Sequence, residues 1–184
     1  MEFGAFYPFS RNHNTDNGID QDPVSLGPEV VESAKQALSI RYALLPYLYS
    51  LFVKSHLFGN PVVTPMFFHA KPGDEIAYFI DDQMFWGSDL LIAPVLSENQ
   101  NQVQAYLPSG TSWYDLRSLK KIQIDSIPNF VTLDTLPGHG PGLLVKGGSI
   151  LPAQSLGIAK TTVQRYNYLF DHELRLEVLK VTML

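Results

Sequence analysis

The 184-residue chain contains no cysteine. This absence excludes disulfide bridges, thiolate catalysis and cysteine-based zinc sites, although it does not identify the cellular compartment. No apolar run reaches the length of about 18 residues that a membrane-spanning helix needs, so we expect no membrane segment. The first residues, MEFGAFY, carry neither a basic start nor a long apolar stretch, so we also expect no signal peptide.

Charged residues are scarce as well, at 17% of the chain, whereas hydrophobic residues make up 45%. That balance excludes an intrinsically disordered chain. The 18 acidic residues outnumber the 13 basic ones and leave a formal net charge of −5. Nucleic-acid-binding proteins normally present a basic surface, so we expect no nucleic-acid partner.

The clearest helical pattern covers residues 28–58. Pro28 suits a first helical position, and Gly59 follows the last apolar residue. Apolar residues recur at intervals of three and four: Val31, Ala34, Leu38, Leu45, Leu48 and Phe52. Pro46 lies inside the pattern and predicts either a kinked helix or two helices. Further aromatic residues on several sides predict packing on more than one face.

Short apolar runs at residues 62–68 and 90–96 predict buried strands, with a short helix in the acidic segment between them. Residues 102–184 carry several more strand patterns: 102–107, 113–115, 130–133, 143–145, 150–151 and 174–184. Gly147 and Gly148 lie between two of these runs and predict a hairpin-like turn. The second half of the chain is therefore expected to be rich in β-structure.

A polar cluster at residues 10–17 follows the apolar residues 6–9. Arg11 offers five donors, His13 offers ring nitrogens, and Asn12 and Asn14 each offer a donor and an acceptor. Such a set suits a polyhydroxyl ligand such as a sugar. The alternative is an ordinary turn, in which Asn and Asp side chains cap local backbone groups. Residue types alone favour the turn.

Other candidate groups have plain structural explanations. Neighbouring carboxylates occur at Asp16, Asp20 and Asp22, at Asp74 and Glu75, and at Asp81 and Asp82. Most such pairs are solvated surface, although a glycosidase needs two carboxyl groups across a sugar. The histidines, residues 13, 56, 69, 139 and 172, lack zinc-binding spacing, and residues 138–142 make a poor phosphate loop. Trp86 and Trp113 suit either sugar stacking or, more commonly, a core.

Several motifs occur together and in a consistent order: GAFYPFSRNHN at residues 4–14, QDP at 21–23, RYALLPYLY at 41–49, FWGSDLLIAPV at 85–95 and KGGSILP at 146–152. Together they resemble glycoside hydrolase family 31, in the branch of lysosomal α-glucosidase, sucrase-isomaltase and maltase-glucoamylase. The resemblance covers residues 3–154. It departs from the family pattern at residues 136–144, and the tail after residue 154 matches only loosely.

The resemblance implies a fold of the α/β plus all-β class. Residues 1–83 would form the C-terminal portion of a (β/α)₈ TIM barrel, and residues 84–184 an incomplete proximal C-terminal β-sandwich. The polar loop would then lie at the C-terminal face of the barrel strands, where barrel active sites are built. Both ends of the sequence are expected to be truncated relative to a family member.

The resemblance also implies retaining hydrolysis of terminal α-glucosidic bonds in maltose-like oligosaccharides, starch or glycogen, without a cofactor or metal. One Asp acts as nucleophile and a second as general acid/base in such enzymes. No acidic residue here matches their motifs, so we assign no catalytic residue and expect the isolated chain to be inactive without an upstream barrel segment.

Two residues match substrate-binding positions of the family. His13 matches a histidine that hydrogen-bonds the glucose unit in the −1 subsite, and Arg11 matches a neighbouring arginine that supports that pocket. An oligosaccharide is therefore the expected partner. Family members work in the secretory pathway, in lysosomes, at the cell surface or outside the cell, and the sequence does not choose among these locations.

Two other hypotheses remain open at the level of the sequence. The chain is a non-catalytic carbohydrate-binding or interaction module, or it is a non-functional truncation product. A partial barrel leaves open strand edges and half a core, so the truncation hypothesis predicts aggregation.

Overall fold

A computed structural model describes residues 3–98, 100–124, 129–135 and 140–154, and the backbone of residues 176–180. Two α-helices lie in the first third of the chain: α1, Pro28–Ala43, and α2, Leu45–Phe58. Three short 3₁₀ helices span Gly4–Phe6, Met66–His69 and Ile76–Tyr78. The last of these confirms the short helix predicted in the acidic segment. No helix in these ranges combines the length and apolarity needed to cross a membrane.

Pro46 separates two helices rather than kinking one. Leu44 lies between them with φ −89° and ψ 7°, and its N–H still donates to the Ile40 carbonyl. Pro46 then occupies the first turn of α2, where a missing backbone donor costs nothing. The helix ends as the sequence predicts, at Gly59, whose φ of +74° places it in the left-handed region.

The described residues after α2 form nine strands: β1 Val63–Pro65, β2 Met84–Trp86, β3 Leu90–Ala93, β4 Gln102–Tyr106, β5 Trp113–Asp115, β6 Phe130–Asp134, β7 Gly142–Lys146, β8 Ile150–Gln154 and β9 Leu176–Lys180. Five of them form an antiparallel sheet in the order β1-β2-β3-β7-β5. The pairs β4-β6 and β8-β9 form two smaller antiparallel sheets.

The five-stranded sheet is buried on both faces. Along β2, β3 and β7, alternate side chains point to opposite faces, and each face belongs to its own apolar cluster. One cluster combines Trp86, Leu90 and Val145 with the two helices and β8. The other combines Phe85, Leu91 and other residues of the opposite face with β4 and β6. The sequences of β2, β3 and β7 are therefore almost entirely apolar, as expected for strands whose sheet is covered on both faces.

Several sequence-based predictions are wrong in detail. The run at residues 62–68 forms a strand only over Val63–Pro65, and a 3₁₀ helix follows. β7 and β8 do not pair as a hairpin, because they belong to different sheets. Phe52 is exposed, because α2 buries Tyr47, Leu48 and Leu51 on one face only.

β9 confirms part of the strand predicted at residues 174–184. Other predictions fall outside the described residues: His139, His172 and the first four residues of the divergent segment 136–144. β1 precedes the domain boundary predicted after residue 83 but pairs with β2, which follows it. The boundary itself stays a prediction.

Candidate functional site

The polar loop starts from a short, firmly held segment at residues 3–9. Phe6 is fully buried, and its ring packs against the Trp86 ring with centroids 5.3 Å apart. The indole Nε1–H of Trp86 donates to the Phe6 carbonyl at 2.5 Å. The Trp86 carbonyl in turn accepts from the Tyr47 hydroxyl at 2.9 Å, and burial raises the pKa of Tyr47. A chain of contacts thus ties the segment to β2 and α2.

Arg41 of α1 provides the second tie. Its Nη1 donates to the carbonyls of Ala5 and Tyr7 at 2.6 and 2.5 Å, and its Nη2 donates to the Pro8 carbonyl at 3.0 Å. Burial lowers the pKa of Arg41, because the charged form loses part of its hydration. The planar fork of one guanidinium therefore satisfies three backbone carbonyls of the segment 3–9.

Residues 10–27 then leave the core as an exposed loop with its own internal hydrogen bonds. Asn12 donates through Nδ2 to the Gln21 carbonyl at 2.8 Å, and Asn14 donates to the Ile19 carbonyl at 3.4 Å. These bonds connect the two arms of the loop. They confirm that Asn side chains bond to the backbone here, as the turn interpretation expects.

The loop presents both predicted site residues to solvent. Arg11 places its guanidinium 5.8 Å from the centre of the Phe9 ring, within the range of a cation–π contact. His13 lies two residues further on and is exposed. The structure thus places Arg11 and His13 on one short stretch of backbone, directly after the segment that Arg41 and Trp86 hold.

The carboxylates that the sequence singled out lie in different surroundings. Asp22 caps the turn after it by accepting from the backbone N–H groups of Val24 and Ser25, at 2.9 and 3.2 Å, and from the Ser25 hydroxyl. These hydrogen bonds, led by the Ser25 hydroxyl, hold the pKa of Asp22 below its usual range. Asp16 and Asp20 are exposed on the loop.

The later acidic pairs lie away from the loop. Asp74 accepts from the Tyr106 hydroxyl at 2.5 Å and from the Ala77 N–H at 3.3 Å. Burial and the Asp74 carboxylate together raise the pKa of Tyr106 to about 12. Asp74 therefore links the 3₁₀ helix Ile76–Tyr78 to β4. Glu75, Asp81 and Asp82 are exposed.

Both tryptophans are core residues. Trp86 and Trp113 are at most 1% exposed, which leaves no ring face for a sugar to stack on. Over the described ranges, no three His, Asp or Glu side chains come close enough together to hold a metal ion.

Sequence reasoning missed Arg41, Tyr47 and Trp86 as the residues that position the loop. All three lie inside motifs that carried the family resemblance, and that was the available signal. Their roles depend on contacts between distant parts of the chain, which residue types and spacing do not reveal.

Two family models and several known proteins match most of the chain. Residues 59–151 match the model of the glycosyl hydrolase family 31 C-terminal domain, and residues 1–51 match the model of the family 31 TIM-barrel domain. Human intestinal sucrase-isomaltase is 41% identical over 174 residues, and bovine lysosomal α-glucosidase is 37% identical over 180 residues. These alignments cover 91% and 89% of this chain.

The chain spans only a small part of these relatives, 9% of sucrase-isomaltase and 18% of the lysosomal enzyme. Among solved structures, a glucosidase II α subunit superposes with a TM-score of 0.73 at 32% identity, over 83% of this chain and 16% of that one. A dextranase from Flavobacterium johnsoniae also reaches 0.73, at 27% identity, over 87% of this chain and 20% of that one.

Proposed function

The chain belongs to glycosyl hydrolase family 31, and from this premise we propose that it is part of a retaining α-glucosidase. The substrates are terminal α-glucosidic bonds in maltose-like oligosaccharides, starch or glycogen. The observation that carries the proposal is the loop bearing Arg11 and His13, which starts from a segment that is anchored by the buried Phe6 and by hydrogen bonds from Arg41 and Trp86. Relatives with α-glucosidase in their name or sugars in their structures support the substrate class.

In this proposal the chain binds and orients the sugar but does not supply the reacting carboxylates. Retaining hydrolysis uses two carboxyl groups about 5–5.5 Å apart. One carboxylate attacks the anomeric carbon while the other protonates the departing oxygen, and water then releases the sugar. No acidic residue of this chain matches the family's motifs for those roles. Both groups therefore come from a barrel segment outside residues 1–184.

His13 is the residue that we place against the glucose unit in the −1 subsite. An imidazole ring donates to or accepts from sugar hydroxyls, and its exposure on the loop leaves it accessible to a ligand. Arg11, held over Phe9, supports the same pocket from two residues away. Hydrogen bonds to sugar hydroxyls that strengthen in the transition state lower the barrier to bond cleavage.

An exposed apolar row on α2 supports the assignment of residues 1–83 to a partial barrel. Tyr49, Val53 and Leu57 follow one another at four-residue intervals and are 72%, 41% and 62% exposed. Exposed apolar patches of this kind usually mark a surface that another unit covers. We propose that the remaining barrel units cover this face of α2.

The relatives' names include intestinal and lysosomal proteins and an ER glucosidase. We therefore place the enzyme in the secretory pathway and leave its final compartment open.

The test compares the 184-residue chain with an enzyme in which residues 1–184 follow a family barrel segment that carries both catalytic Asp motifs. We expect the joined enzyme to hydrolyse an aryl α-glucoside and to release α-glucose first, as NMR of the product would show. We expect the 184-residue chain alone to give no turnover above a mock preparation. Turnover by the chain alone, or release of β-glucose by the joined enzyme, would contradict the proposal.

A further inference from the structure

A polar cavity lies on the opposite face of the five-stranded sheet from the segment that anchors the loop. Its volume is about 170 Å³, and it opens between the end of that sheet and the turn at residues 108–111. Lys71, Lys146 and His69 line it, together with Ser109 and Thr111. The proposed sugar site uses none of these residues.

The strand register explains why a lysine points into this cavity. Lys146 at the end of β7 lies directly opposite Trp113 of β5, so the two side chains share one face of the sheet. Leu144, two residues earlier on β7, lies in the apolar cluster on that same face. Lys146 is therefore a half-buried cation at the edge of an apolar surface.

Lys71 reaches the cavity from the other side. A Cβ atom placed on Gly110 would lie only 2.1 Å from Lys71 Nζ, so the ammonium group rests directly against the Gly110 backbone. Gly110 has a φ of +80°, which favours glycine in any case. Because Gly110 has no side chain, the turn leaves space for the ammonium group of Lys71. A side chain at residue 110 would occupy that space.

Neither ammonium group forms an ion pair with a described carboxylate, although Asp89, which accepts from the hydroxyl of the cavity-lining Ser88, lies near the same wall. Within the described part of the chain, Arg117 and Asp115 form the only oppositely charged pair within 4.0 Å. Lys71 and Lys146 thus line one cavity without a described carboxylate as partner.

His69 completes the wall of the cavity and is held in place. Its ring lies 3.9 Å from the centre of the Phe85 ring, and its Nε2 is 2.8 Å from Thr64 Oγ1. Burial lowers the pKa of His69, and the charge of Lys146 lowers it further, although Asp89 acts in the opposite direction.

We propose that this cavity binds a small tetrahedral oxyanion, a phosphate or sulfate group, between Lys71 and Lys146. Two ammonium groups can donate to several oxygens of such an ion at once, and bonds to a charged acceptor are the stronger ones. A neutral sugar gains less here, because the aromatic residues beneath the cavity, Phe85 and Trp113, are at most 1% exposed. The proposal does not depend on the α-glucosidase assignment.

The test is a calorimetric titration of inorganic phosphate into the protein carrying all of residues 1–184, at pH 7.5 and constant ionic strength. We expect one saturable site, and at least tenfold weaker binding in Lys71→Gln and in Lys146→Gln. Lys35→Gln is the matched control, because it removes the same charge from an exposed position on α1. Thermal melts of the three variants that match the unchanged protein show that folding is intact.

Three further titrants define the chemistry of the ion. Sulfate is expected to bind at the same site, and acetate at least tenfold more weakly, because it has only two oxygens. Phenyl phosphate distinguishes an esterified phosphate from a free phosphate ion as the ligand. Tighter binding than inorganic phosphate indicates a phosphomonoester, and weaker binding indicates the free ion. Absence of saturable phosphate binding, an equal loss in Lys35→Gln, or acetate binding as tightly as phosphate would overturn the proposal.

Discussion

The guanidinium of Arg41 satisfies three backbone carbonyls that lie just before the polar loop. The nearest of these partners is 33 residues away along the chain. Arg11 and His13 could be predicted as site residues from residue types and a family motif, because they belong to one contiguous segment. Arg41 and Trp86 belong to other motifs, and their roles follow only from the way the fold brings these motifs together. Residue patterns therefore identify the loop but not the residues that hold it.

Arg41→Lys tests the anchoring of the loop. A lysine keeps the charge but replaces the planar fork with a single ammonium group, so at least one of the three carbonyls loses its donor. We expect a loss of about 1–3 kcal/mol in the free energy of unfolding, measured by urea denaturation. Arg11→Lys is the control, since an exposed arginine should change stability by no more than about 0.5 kcal/mol. Equal effects of the two substitutions would refute the anchoring role.

His69 predicts a dependence of stability on pH. Its pKa is lowered in the folded chain from an ordinary value of 6.5, mainly by burial. The unfolded chain therefore binds more protons than the folded one below pH 6.5, and stability falls as the pH decreases through the window beneath that value. We expect the melting temperature to drop between pH 7 and pH 5.5, and to drop less in His69→Gln. His56→Gln, which alters an exposed histidine, should retain the full slope.

At the scale of whole elements, sequence patterns located most of the helices and strands but not how they pair. Apolar runs predicted β3 and β7, because both faces of the sheet are covered and almost every position in these strands is apolar. β2 was missed, because it lies in the segment for which the sequence predicted only a short helix. The same property hides the register, since a continuous run carries no alternation to mark a face. The predicted hairpin at Gly147 and Gly148 failed for this reason: β7 pairs with β3 and β5, which are distant in sequence.

Gly87 shows how closely α2 packs on the turn between β2 and β3. A Cβ on Gly87 would lie 2.6 Å from Leu51 Cδ2 and 3.1 Å from the Tyr47 hydroxyl, and its φ is +58°. Gly87→Ala should therefore incur both backbone strain and overpacking, the latter costing about 1–3 kcal/mol. Gly73→Ala is the matched control, because Gly73 has a φ of +84° with nothing within 4 Å of its Cβ position.

We expect Gly73→Ala to show only the backbone term of about 1–2 kcal/mol in denaturant unfolding. The excess cost of Gly87→Ala measures the contact between α2 and the turn. If the two variants lost the same free energy, α2 would not pack as closely on β2 and β3 as the structure shows.

At the scale of the whole molecule, a layer of two helices and a layer formed by β4 and β6 cover opposite faces of one antiparallel sheet. The fold class follows from the motifs, and the family models confirm it over residues 1–51 and 59–151. The exposed row on α2 was not predicted, because the helix is apolar on several sides and its periodicity does not show which side remains uncovered. The proposed partial barrel in a larger enzyme would account for that row.

The central claim is that the anchored loop holds the glucose unit through His13. The measurement is kcat/KM for maltose in the active enzyme that contains residues 1–184, comparing His13→Ala with His56→Ala. Loss of a hydrogen bond of about 1.5–3 kcal/mol in the transition state lowers kcat/KM roughly 10- to 150-fold in His13→Ala. His56→Ala, at an exposed position on α2, should leave it unchanged. An unchanged kcat/KM in His13→Ala, with folding intact, would contradict the account.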